Sequence, residues 1–306
     1  MRLSIVTTLY KSAPYVEPFY QRVCAAAAQV TDDYEIVMVD DGSPDDSLDA
    51  AVAIAARDPR VRVAELSRNF GHHRAMMTGL RLAKGALVFL IDVDLEEEPE
   101  WLGVFWKTMV EGDRDVVFGY QAQRKGTLVE RIGGAVHWWL LRQLSSYPIP
   151  DNLVTARLMT RQYVRSLLRH RERKTAIGGL WALTGYRQTG LPVVKGFRGT
   201  TSYSPIRRFA MAIDGLTSFS EKPLIMVFVL GLTIFALSSV GALLLVIRRL
   251  TGTLLSGWAS LIVSVWMLGG LSIACMGILG LYVARVFIET KRRPYSIIRR
   301  VHQHPA

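Results

Sequence analysis

The chain alternates apolar and charged segments up to about residue 222, and from Pro223 to Ile288 charge almost vanishes. LSIVTTLY (3–10) and EIVMVD (35–40) are β-branched runs bounded by turn residues, the pattern of strands buried on both faces. PYVEPFYQRVCAAAAQV between them predicts a helix, and AAVAIAA after DDGSPDDSLD predicts a second. VRVAEL (61–66), a helix over HHRAMMTGLRLAKG, ALVFLID (86–92), a helix from Trp101 and DVVFGYQ (115–121) extend the alternation. Strands interleaved with helices imply a parallel, doubly wound α/β sheet whose ligands lie at the carboxyl ends of its strands.

The apolar remainder holds two uncharged runs, 223–247 and 258–284. At about 1.5 Å rise per residue, each is long enough for a hydrocarbon core of roughly 30 Å. The expectation is a two-helix transmembrane hairpin over 223–288. A soluble-like domain (1–205) and an interfacial juxtamembrane helix (206–222) precede it, and a basic tail (289–306) follows. The Trp-rich segment ending in HWWLLRQL is a second candidate for the interface. Arg207, Arg208, Lys222 and the five basic residues of KRRPYSIIRR outnumber Arg248 and Arg249 of the hairpin loop. The positive-inside rule therefore puts the N-terminal domain and the tail in the cytoplasm of a multi-pass inner-membrane protein. The chain opens directly on a strand rather than on a signal peptide.

Composition changes this picture little. In 306 residues the formal charge is +11, but no nucleic-acid motif accompanies it, and basic residues gather near the apolar runs, so anionic lipid is the better partner. The two cysteines, Cys24 and Cys275, have no metal-ligand spacing around them and fit a reducing compartment.

Polar clusters end the predicted strands. Asp40 and Asp41 follow the second, Arg68 and Asn69 the third, Asp92 and Asp94 the fourth. After Asp94 come Glu96, Glu97 and Glu98, and acids so crowded repel one another unless a cation or a set of donors sits among them. Asp92 and Asp94 are spaced to point the same way, and Mg²⁺ or Mn²⁺ is commonly shared between one or two such carboxylates and substrate phosphates.

VDDGSPDDS, SRNFGHHRA and DVD occur here in the order found in the inverting glycosyltransferase family 2, which has the GT-A (Rossmann-like) nucleotide-sugar-binding fold. More narrowly the chain resembles the polyprenol-phosphate glycosyltransferases, the dolichol-phosphate mannosyltransferase-like and bacterial undecaprenyl-phosphate glucosyltransferase-like group. YPIPDNLVTARLMTR, GYRQTGLP, DGLTSFSEKPL and the apolar C-terminal region carry that resemblance along nearly the whole chain. It implies that Thr8, Tyr10, Asp40, Asp41, Arg68, Asn69 and Asp92 bind the donor, with Asp41 on the base and Asp92 on the ribose or metal. Asp94 is the implied principal metal ligand and Glu97 a second, standing where relatives carry an aspartate. Asp92, Asp94 and Arg157 form the implied catalytic set, and Glu96 and Glu98 are expected in solvent. The acceptor phosphate is assigned to Arg124, Lys125, Arg131 and Arg198.

The chain departs from the resembled pattern at two positions. Thr155 stands where relatives place an aspartate often given a catalytic role, and Ser202 replaces a basic residue. His72 and His73 replace a Lys-Glu pair without an evident purpose. A phosphate monoester is largely ionised near neutral pH, so such an acceptor attacks without a strong base, whereas a hydroxyl acceptor needs one. The resulting expectation is sugar transfer from a UDP-, GDP- or dTDP-sugar to polyprenol phosphate at the bilayer surface. The pattern admits a homo-oligomer. The alternatives are transfer to a hydroxyl of a lipid-linked saccharide and a non-catalytic membrane scaffold.

Overall fold

In the computed structural model, residues 2–121, 152–170, 177–196, 224–231, 257–291 and 293–304 are described, with isolated helical positions between 233 and 250. The chain forms two compact units. One comprises Met1–Trp138, Tyr147–Ser204 and Arg293–Ala306, the other Trp139–Ser146 and Pro205–Arg292.

The first unit is built on an eight-stranded sheet of order β7-β5-β6-β4-β1-β2-β3-β8. β1 (Leu3–Leu9), β2 (Tyr34–Asp40), β3 (Val61–Leu66) and β4 (Leu87–Leu90) are parallel. They are linked through α1 (Ala13–Ala28), α2 (Ser47–Arg57) and α3 (His72–Leu82), and α4 (Trp101–Glu111) follows β4. Every residue of β1 and β2 is buried, as their unbroken apolar character requires of strands covered on both faces. Phe19 of α1, Phe89 of β4 and Phe105 of α4 share one core with Ile5 and Leu158. The Phe89 and Phe105 rings meet edge to face at 6.2 Å, a geometry contributing about 0.5–1.5 kcal/mol beyond the burial itself.

β5 (Val116–Gln121) is followed by β6 (Leu153–Thr160), α5 (Arg161–Leu167), α6 (Ile177–Leu183) and β7 (Gln188–Val193). Here the sheet differs from the all-parallel expectation. β6 lies between β4 and β5 and runs antiparallel to both, while β7 is parallel to β5. Because Leu90 pairs with Arg157, the start of β6 reaches the edge at which β4 ends. Thr155 is thereby delivered beside Asp92.

The expected basic tail is also partly a strand. β8 (Ile298–Gln303) pairs antiparallel with β3, and Arg299 and His302 both contact Glu65, at 2.9 and 3.0 Å. Ser296 and Thr78 of α3 share a hydroxyl hydrogen bond of 2.6 Å.

In the second unit, α7 (Trp258–Thr290) contains the stretch Met267–Thr290, of mean hydropathy 2.0. Among the described residues it is the one helix long and apolar enough to cross a membrane. Of the first expected span, 224–231 is helical; the juxtamembrane helix and the Trp-rich segment lie outside the described residues.

Candidate active site

The ladder between β1 and β4 ends at Val6–Leu90. Thr8 and Asp92 each stand two residues further on, so their side chains share a face just where the strands stop holding one another, the place where open α/β sheets bind ligands. To one side is the turn after β2. Asp40 Oδ2 accepts from the Gly42 and Ser43 N–H groups at 3.1 and 3.2 Å, and its buried Oδ1 has no partner. Gly42 has φ +65°, and a Cβ there would lie 2.6 Å from the Arg68 carbonyl carbon and the Asn69 nitrogen, so only glycine lets the two turns close. Asp41 fastens them, its two oxygens accepting from the Phe70 and Gly71 N–H groups at 2.7 and 2.9 Å. Burial pushes the Asp41 carboxyl above its ordinary range against those two bonds.

That clamp sets the start of α3. The His72 ring, 49% exposed, places Nδ1 3.0 Å from Thr8 Oγ1 and Nε2 3.3 Å from Asp92 Oδ1. The latter is an ionic contact without hydrogen-bond alignment, since Asp92 Oδ1 has no aligned donor. On its other side Asp92 Oδ2 accepts from the Thr155 hydroxyl at 2.8 Å. Burial opposes charge on both Asp92 and His72. Their mutual attraction, with Thr155 and Lys195 helping Asp92 and with Asp41 and Asp94 helping His72, outweighs it. Asp92 lies below the ordinary carboxylate range and His72 above the ordinary imidazole range.

Glu97 continues the polar chain. Its side chain is 0% exposed, Oε1 accepts from the Thr155 N–H at 2.8 Å, and Oε2 is buried without a partner. Burial first, and then the charge of Asp92, push its carboxyl up to about 8. Lys195, just beyond β7, lies 3.9 Å from Glu97 and 3.1 Å from Glu96. Burial works against the Lys195 charge, and Glu97 and Glu96 more than restore it. A line of polar groups thus runs along one sheet edge from Thr8 through His72, Asp92, Thr155 and Glu97 to Lys195.

The expected site residues are distributed over this frame unevenly. Asp94 stays at the crevice, its Oδ1 accepting from the Glu96 N–H at 3.0 Å across a turn in which Leu95 takes φ +60°. Burial, with the charge of Asp92, raises its carboxyl. Tyr10 is exposed at the end of β1, Asn69 is exposed, and Arg68 donates to the Asn69 carbonyl while lying over the Phe70 ring at 4.1 Å. Asp41, expected on a base, already has both oxygens on backbone donors. Glu96 is paired with Lys195 rather than solvated, whereas Glu98 is exposed. Arg157, expected in the catalytic set, is 1% exposed and stacks on Trp181, donating to the Val154 and Thr155 carbonyls; burial pulls it down to about 9. It lines a separate cavity of about 250 Å³ with Phe118, Leu153, Tyr186 and Gln188. Arg124, Lys125, Arg131, Arg198 and Ser202 lie outside the described residues.

His72, Thr155 and Lys195 belong to the site without being among the residues the amino-acid pattern points to. His72 and Thr155 were visible as departures from a pattern, but only the antiparallel insertion of β6 and the turn at Gly71 (φ +100°) bring them to Asp92. Lys195 carried no signal, because β7 was not foreseen.

Comparison with known proteins decides the class of the chain that carries this crevice. The model of the family "Glycosyl transferase family 2" matches residues 4–168. A Mycobacterium tuberculosis protein described as "Putative glycosyltransferases" is 52% identical over 303 residues, covering 99% of this chain and 89% of that one. The chain belongs to glycosyltransferase family 2. The glycosyltransferase is also 30% identical to the bactoprenol glucosyl transferase of Shigella phage SfII over 310 residues, 99% of each chain. Among solved structures, mannosyl-3-phosphoglycerate synthase from Rubrobacter xylanophilus matches at TM-score 0.49 and 16% identity, over 71% of this chain and 73% of that one.

A divalent cation shared with donor phosphates needs one or two carboxylates with free oxygens. Asp94, with only Oδ1 engaged by the chain, fits that requirement in the glycosyltransferase, and Asp92, with Oδ2 on Thr155 and Oδ1 beside His72 without hydrogen-bond alignment, could join it only alongside His72. Glu97, expected as a second ligand, is enclosed, with Oε1 accepting from the Thr155 N–H and Oε2 without a partner among the described residues. Among the described residues no group of three or more His, Cys, Asp or Glu side chains gathers around one point.

Proposed function

We propose that this glycosyltransferase moves a sugar, with inversion, from a nucleotide sugar to polyprenol phosphate at the cytoplasmic face of a membrane, for cell-envelope glycan synthesis or modification. The observation that carries the reading is similarity to a bactoprenol glucosyl transferase over 99% of both chains, the apolar C-terminal part included. A match confined to the catalytic domain would support sugar transfer alone.

The proposed donor site is the crevice between β1 and β4. Thr8 and Asp40 line the nucleotide side, with Tyr10, Arg68 and Asn69 at its rim, and Asp41 holds the surrounding turns together. Asp94, assisted by Asp92, is the proposed ligand set for Mg²⁺ or Mn²⁺, and a bound cation would offset charge on the departing nucleoside diphosphate. Arg124, Lys125, Arg131 and Arg198 remain the proposed acceptor-phosphate residues.

The acid inventory favours a phosphate acceptor. A hydroxyl acceptor needs a base within hydrogen-bond reach. Among the described residues, Thr155 offers none, Glu97 is enclosed, Glu96 is held by Lys195, Asp92 is held between His72 and Thr155, and Asp94 is the proposed cation ligand. An acceptor phosphate is already ionised and needs only to be aligned. α7 and the uncharged run 223–247 are the proposed membrane hairpin.

The test is transfer of label from a panel of radiolabelled UDP-, GDP- and dTDP-sugars to undecaprenyl phosphate in detergent, with Mg²⁺ or Mn²⁺ and with EDTA. The expected product partitions into chloroform, disappears with EDTA and releases its sugar in mild acid. Transfer only to a lipid-linked saccharide would overturn the acceptor, and absence of transfer from any donor by folded, nucleotide-binding protein would overturn the reaction.

A further inference from the structure

His72 is unexplained by the family pattern, yet it occupies the gap where the β1–β4 ladder has ended. Thr8 and Asp92 are held together there by no main-chain bond; Ile91 N–H to the Val6 carbonyl, at 3.1 Å, is the last. The imidazole bridges that gap side chain to side chain, 3.0 Å from Thr8 and 3.3 Å from Asp92.

The ring is itself held in place. Gly71 takes φ +100°, and Asp41 binds the N–H groups of Phe70 and Gly71 immediately before the helix, so the backbone bearing His72 is anchored to the end of β2. Asp92 in turn is contacted from both sides, by His72 on Oδ1 and by the Thr155 hydroxyl on Oδ2. A carboxylate braced in this way keeps one orientation, and its approach to a ribose or a cation needs little rearrangement.

We propose that His72 is a positioning residue for the nucleotide donor, bridging Thr8 and Asp92 so that the Asp92 carboxylate is presented to the ligand in a fixed orientation. The inference rests on the donor reading above and is independent of the acceptor. With half of its side chain exposed, His72 fills little core volume, and its replacement acts through Asp92 rather than through packing.

The test uses full-length protein in detergent, nucleotide binding by calorimetry with UDP, GDP and dTDP in Mn²⁺, and donor kinetics. His72→Leu keeps volume and removes both contacts, whereas His72→Gln retains a polar group able to reach Asp92. The expected result is nucleotide affinity about 10–100-fold weaker in His72→Leu, the range for loss of a supporting contact, with donor KM raised more than kcat is lowered. Thermal stability stays near wild type, and His72→Gln recovers most of the affinity. Wild-type affinity and KM in His72→Leu would overturn the proposal, as would equal loss in both variants accompanied by a lower Tm. Because binding needs no acceptor, a failed lipid-transfer assay leaves this result readable; wild-type protein that binds no nucleotide would sink the donor reading and this inference with it.

Discussion

Glu97 carries a buried carboxyl whose neutral form is favoured up to about 8, against an ordinary value of 4.5. Between those two values the folded chain keeps a proton that the unfolded chain has released, so stability falls as pH rises through the window. Below the ordinary value both states are protonated and no penalty remains. Glu97→Gln removes the titration while keeping the shape. Its Tm should draw ahead of wild type progressively from about pH 5 to about pH 9 in EDTA, and a pH-independent difference would refute the assignment. Asp94 calls for the opposite outcome, since it is a crevice ligand and not a core contact. Asp94→Asn should keep its Tm and lose more than about 100-fold in turnover, because cation stabilisation of a leaving group supplies several kcal/mol. Wild-type turnover would remove Asp94 from the metal site. At Gly42 the cost is to the backbone: φ +65° and the close Arg68 backbone make Gly42→Ala destabilising by at least about 1 kcal/mol, readable as a lower urea midpoint.

Elements differ in how far the amino-acid pattern announced them. β1, β2 and β3 were legible as β-branched, largely apolar runs bounded by turn residues, and their observed limits stand within a residue of those expected. β6 was not, because LVTARLMT contains a buried arginine and a crevice threonine that interrupt the apolar run. β7 carries Gly190 and Pro192 and is only partly buried. β8 has four polar residues facing solvent or Glu65, the composition of an edge strand and equally that of a solvated tail. The site was legible to the same extent, its acids by position and its braces only through the antiparallel β6 for Thr155 and the Gly71 turn for His72. Removing residues 293–306 should uncover the β3 edge and break the Ser296–Thr78 bond. A Tm loss above about 5 °C is expected, 1 kcal/mol being worth about 2–4 °C in a domain of this size. Glu65→Gln alone should shift Tm by less than about 4 °C, since partly exposed ion pairs contribute about 0–1 kcal/mol; equal losses in the two variants would show that the ion pairs, not the strand, hold this edge.

For the whole molecule, the strand after α7 belongs to the same sheet as the strands at the beginning of the chain. Protease sites added at the two termini should both be cleaved in inside-out vesicles and both be protected in intact cells. The chain between residues 205 and 293 is a closed excursion, and closed excursions through a surface obey parity: what leaves a compartment and returns to it crosses the boundary an even number of times. If α7 traverses the bilayer as proposed, the β3–β8 pairing requires an even number of crossings between those strands, because an odd number would leave them in different compartments, where no hydrogen bond can join them.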